Sequence, residues 1–198
     1  MFHRACAVAA LLGLACLPAG AEDFGQIAFS FDGKEHEWPT FTRQAGEKTI
    51  ASARLTKTGR VNTMTIDAYE KQTDTRSAIL NVQLLYMTRT GLRPPRRSTG
   101  DKQASTGSQA PAASPDYGRP TSVGIIFFTG GARGPVWQGR NAKVEIQSHD
   151  LSGDVGRMKA SFSAEMCFAE KLHADPDESR CQPISGTIET RVVLPADG

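Results

Sequence analysis

Residues 157–167 read RMKASFSAEMC, in which Met158, Ala160, Phe162, Ala164 and Met166 alternate with Arg157, Lys159, Ser161, Ser163 and Glu165. A period of two places every second side chain on one face of a pleated strand, so this stretch has one apolar and one polar face. A helix would need its apolar residues three and four apart. The good helix formers from Ala164 to His173 are the one competing signal in this half of the chain. The alternation runs unbroken into Cys167, which favours a strand.

Working outward, the same pattern recurs. Residues 185–194 (SGTIETRVVL), 142–148 (AKVEIQS) and 122–129 (SVGIIFFT) read as strands. In 76–89 (RSAILNVQLLYMTR), Leu80, Val82, Leu84 and Tyr86 alternate with Asn81 and Gln83, again favouring a strand. Near the start, Ile27, Phe29 and Phe31 precede Asp32-Gly33, and His36 and Trp38 follow it. Alternation around Asp-Gly is a strong hairpin signal. Residues 48–57 (KTIASARLTK) and 60–69 (RVNTMTIDAY) form a second hairpin candidate around Thr58-Gly59. About nine strands with turn signals at short intervals predict an all-β fold, an antiparallel sandwich.

The chain of 198 residues begins MFHRACAVAALLGLACLPAGA, a basic start, an apolar run from Ala5 to Leu17, and small residues at Ala19-Gly20-Ala21. That is the pattern of an export signal over residues 1–21, cleaved after Ala21. A periplasmic or secreted protein follows, with a lipid anchor at Cys16 as the alternative; Gly13 stands where a lipoprotein signal usually has leucine. Export leaves Cys167 and Cys181, and an even pair in an oxidising compartment predicts a disulfide. The intervening FAEKLHADPDESR is polar and reads as a loop between strands.

From Ser98 to Asp116 no apolar residue exceeds alanine, and Arg93-Pro94-Pro95-Arg96-Arg97 precedes this run. Such a segment buries too little to offset its ordering entropy, so a flexible basic insert is expected over 93–119. Two separate domains would each have only four or five strands and little core. A single sandwich domain over 22–198, interrupted by this insert, is therefore expected. Arg93, Arg96 and Arg97 are candidates for peripheral contact with an anionic membrane surface.

Lys plus Arg number 23 against 21 Asp plus Glu, a net charge of +2 that argues against a nucleic-acid binder. After residue 21 no apolar run approaches the roughly 20 residues of a spanning helix. Nucleophile motifs such as GxSxG and SxxK are absent, and His36, His149 and His173 lack metal-binding spacing. No catalytic residue, cofactor or metal is therefore expected. Asp175, Asp177 and Glu178 resemble part of a calcium loop, but Pro176 breaks the pattern. His149-Asp150 suggests a base and its orienter only weakly.

The stretch with most binding character is Thr129 to Arg140, TGGARGPVWQGR, which meets neither phosphate-loop pattern. Read as a loop, it presents Trp137 between Arg133 and Arg140, residue types enriched at binding hot spots. The expectation is an exported, non-enzymatic module of the bacterial envelope that binds a protein or glycan through end loops. The alternative is an envelope hydrolase or glycan-active enzyme whose site assembles only in three dimensions.

Overall fold

The computed structural model describes residues 22–46, 48–71, 77–87, 119–130 and 134–195. Ten strands carry almost all of them: β1 (Glu22–Phe31), β2 (Lys34–Ala45), β3 (Lys48–Ala51), β4 (Ala53–Thr58), β5 (Val61–Tyr69), β6 (Ile79–Met87), β7 (Ser122–Phe128), β8 (Val136–Asp150), β9 (Val155–Ala169) and β10 (Asp177–Val193). The all-β antiparallel expectation holds, with ten strands in place of about nine, and no helix occurs among the described residues. The export-like residues 1–21, with Cys16, lie outside the described residues, as do Arg93, Arg96, Arg97 and all of the expected insert before Arg119.

Local chemistry explains the turns. Asp32 and Gly33 sit at φ 53° and 68°, and Phe31 pairs with Lys34. Two left-handed residues in a two-residue loop match the twist of the flanking strands, which is why Asp-Gly works there. Residues 48–57 do not form the single strand expected. The chain bends at Ser52, whose N–H donates to the Phe41 carbonyl at 2.9 Å and whose hydroxyl accepts from Phe41 N–H at 2.8 Å. The Ser52 carbonyl in turn accepts from Asp67 N–H at 2.8 Å. Ser52 is thus a corner: β3 pairs with β2 before it and β4 with β5 after it.

Neighbours in sequence are neighbours in the sheet from β4 through β10, each pairing antiparallel with the next. The long strand β10 then completes the ring. Residues 184–190 pair with β1 on one side and β9 on the other, and Val193 makes one parallel bridge to Arg54 of β4. The layers are therefore parts of one hydrogen-bonded sheet folded back on itself, which leaves few free edges. β6 and β7, on either side of the insert, are direct partners from Ile79↔Phe128 to Leu85↔Ser122.

Inward alternation fills the interior. Ile27, Phe29, Met64, Ile66, Leu80, Leu84, Ile125, Met166, Ile184 and Ile188 are fully buried. An aromatic cluster joins the two sides: Phe127 of β7 lies 5.0 Å from Phe31 and 5.6 Å from Trp38, and Phe29 meets Trp38 edge-on at 5.0 Å. Cys167 and Cys181 face each other on β9 and β10 and form the expected disulfide. The helix formers after Ala164 continue β9 to Ala169, because pairing with β8 and β10 outweighs a weak local propensity.

Candidate functional site

Three residues were expected to share a binding loop. Arg133 lies outside the described residues, whereas Trp137 and Arg140 belong to strand β8, which starts at Val136 rather than Ala142. Trp137 pairs with Phe127 on β7 and Phe168 on β9. Its half-buried ring stands edge-on to Phe31 at 5.3 Å and Phe168 at 5.6 Å, so it packs the wall of the core. Arg140 donates to Glu178 at 2.9 Å. The loop reading of these two side chains is corrected: the run of glycines masked a strand held in place by both neighbours.

The weaker candidates also have structural roles. Asp150 accepts from the Ser152 N–H at 3.2 Å and its hydroxyl at 2.6 Å, which turns the chain between β8 and β9. Asp177 makes the same contacts to Ser179, at 3.0 and 2.6 Å, and these hydrogen bonds hold its carboxyl below the usual range. No group of three or more His, Cys, Asp or Glu side chains able to hold a metal occurs among the described residues.

Strand register assembles a surface that the linear order conceals. Asp150, Arg157 and Arg191 stand side by side on β8, β9 and β10, and Ser148, Lys159 and Glu189 form the next rung. With Phe24, Gly25, His149, Met158 and Thr190 they line an open cleft of about 490 Å³, within the range of ligand sites. Phe24 and Met158 are buried and give it an apolar floor. Gly25 has φ 136°, and an added Cβ would lie 2.2 Å from the Glu189 carbonyl oxygen, so only glycine lets β1 approach β10 here.

The cationic rim is anchored from below. The Arg191 guanidinium lies 4.5 Å from the Phe24 ring centroid and donates to Glu22 at 2.8 Å. Lys159 sits 3.3 Å from Glu189. Arg157, beside an apolar floor and without an ion-pair partner among the described residues, suits a partner that offers a carboxylate and some apolar surface.

Displaced pKa values occur elsewhere. Burial raises Asp67 against the opposing pull of Asn81 and Arg54, burial and the Asp67 charge raise Tyr69, and burial pushes Tyr86 up to about 12. Asp67 and Tyr69 flank the Ser52 corner: Asn81 donates to Asp67 at 2.6 Å, and Tyr69 packs on Phe41 at 5.1 Å. Compared with known proteins, the chain matches no family model, no curated protein and no solved structure.

Proposed function

We propose that the chain is an exported, non-enzymatic module of the bacterial envelope that binds an acidic protein or glycan partner across the β8–β9–β10 cleft. The observation that carries this reading is the row of Arg157, Lys159 and Arg191 beside the Phe24 and Met158 floor. Asp150 and Glu189 in the same lining offset part of this charge, and Arg157, which has no ion-pair partner among the described residues, is the cation left to pair with a partner's acid and fix its register. The Cys167–Cys181 bridge suits an oxidising compartment, in keeping with the export pattern of residues 1–21. Cleavage after Ala21 puts Glu22 first, and Glu22 is the residue that holds Arg191 at the cleft rim. No helix among the described residues is long and apolar enough to cross a membrane.

Immobilised polygalacturonate and polyglutamate, with neutral dextran as control, test the reading. The protein should be retained on an acidic matrix and released by salt, and R157E/K159E should pass through while melting at an unchanged temperature. Equal behaviour of variant and wild type, or no retention of either, would refute it. Release of soluble sugar from polygalacturonate would instead favour a glycan-active enzyme. The intact mass of exported material should correspond to a chain starting at Glu22.

A further inference from the structure

Among the described residues, the sheet opens between β7 and β8. These strands pair only through Ile126↔Gln138, Phe127↔Trp137 and Phe128↔Val136. Beyond that point β8 keeps β9 on one side, through Asp150↔Arg157, and has no strand on the other among the described residues. The cause is local. Gly139 is pressed against Ile125, with an added Cβ only 3.0 Å from its carbonyl oxygen, and a bulge follows between Arg140 and Lys143, where Asn141 adopts φ 53°. A bulge bends its strand and re-aims it. The two edges therefore separate around a hollow of about 620 Å³ that reaches from Pro120 and Val123 to Lys143, Val144 and Glu145.

This edge has the markings of an unfinished sheet. Ala142, Val144 and Ile146 point toward the core and pack on it, yet remain half-buried, unlike the fully enclosed inward residues of β9 and β10. Between them, Lys143 and Glu145 are exposed, and neither has an ion-pair partner among the described residues. A long free edge offers unpaired backbone donors and acceptors to another strand.

We infer that this edge is a self-association surface, where β8 pairs antiparallel with β8 of a second copy around a two-fold axis at Val144. Inward side chains must oppose inward ones, so only registers two residues apart compete. Centring on Val144 sets Lys143 opposite Glu145 twice, by symmetry, and Ala142 opposite Ile146. Sliding by one step in either direction sets Lys143 against Lys143 or Glu145 against Glu145. Opposite charges directly across an antiparallel pair stabilise it and like charges destabilise it, so the charge pattern selects one register. This surface is separate from the acidic-partner cleft and does not depend on that reading.

Charge exchange tests the pairing without disturbing the core. Sedimentation equilibrium across a dilution series, with the disulfide intact, should show a monomer–dimer equilibrium for the wild type. K143E and E145K should each weaken it by about tenfold or more, since each turns two opposite-charge pairs into two like-charge pairs. An equimolar mixture of the two variants should recover a dimer, because K143E then presents two glutamates to the two lysines of E145K. The double variant K143E/E145K should recover it alone. Circular dichroism melts of all three variants report on folding independently. A wild type that stays monomeric into the millimolar range overturns the inference, whether residues 88–118 or nothing covers the edge. A dimer indifferent to the single changes, or a mixture that fails to recover, overturns it equally.

Discussion

Gly186 lies in the middle of β10, opposite Phe29 of β1 and Phe162 of β9. A Cβ at this position would stand 2.3 Å from the Ala28 carbonyl oxygen, 2.7 Å from Phe29 Cβ and 2.8 Å from Phe162 Cε1. Ordinary contact begins at 3.4 Å, so G186A requires β1 to retreat by about 1 Å in an interior packed without slack. Overpacking costs about 1–3 kcal/mol. The upper part of that range applies here, because the nearest atoms belong to the backbone and Cβ of a paired strand and not to the tip of a flexible side chain. We expect a loss of about 2–3 kcal/mol, or roughly 4–12 °C in melting temperature for a domain of this size. G124A is the control: its Cβ would meet only Gln83 Cβ, at 3.9 Å, in extended backbone. Removing glycine there restricts the unfolded chain and should stabilise by about 0.4–1 kcal/mol. Urea unfolding with the disulfide intact reads both as midpoint shifts of opposite sign at constant slope. A G186A protein as stable as wild type would show that β10 is not clasped between β1 and β9, and the closed sheet would fall with it.

Replacing both cysteines, C167A/C181A, should cost about 3 kcal/mol, the chain-entropy value for a loop of about this length, and thiol labelling of the denatured, unreduced wild type should find no free cysteine. Asp67, raised from 3.8 by burial, binds its proton more tightly in the native than in the unfolded state. Its contribution to stability is therefore present below pH 3.8 and lost as pH rises through the higher native value. D67N keeps an acceptor for Asn81 and does not titrate, so its stability relative to wild type should climb with pH through that window; a difference that is flat or falls with pH would contradict the assignment. Trypsin should cut near Arg96, Arg97 or Lys102, yet the fragments should coelute on a sizing column and unfold together because β6 and β7 remain paired. Fragments that separate and melt independently would indicate two domains.

Strand identity was legible because it is a local property. Alternation from Met158 to Met166 tells which side chains share a face whatever lies beside them. The Asp32-Gly33 turn was equally legible, since it depends only on two residues that accept positive φ. The disulfide followed from elimination, because the expected export signal set Cys6 and Cys16 aside and left Cys167 and Cys181 as the pair. Local reasoning went astray where long-range pairing overrode composition. The serine in 48–57 looked neutral but became a corner through its bonds to Phe41 and Asp67. The glycine-rich stretch led Trp137 to read as part of a loop, but β8 begins at Val136 and is held at Trp137 by both of its neighbours.

The sequence by itself determined the class of fold, most strand positions and the disulfide, because alternation, turn dihedrals and cysteine count are decided within a few residues or by arithmetic over the chain. The tertiary structure alone decided the neighbours. It brought Phe24, Arg157, Lys159 and Arg191 to one cleft from three separate stretches of chain, and it left Lys143 and Glu145 on the one stretch where β7 and β8 part. Those outcomes depend on register and on a bulge at Asn141. A slip of one residue would turn every side chain of a strand to the opposite face, and no single strand carries in its own residues the offset at which another will pair with it.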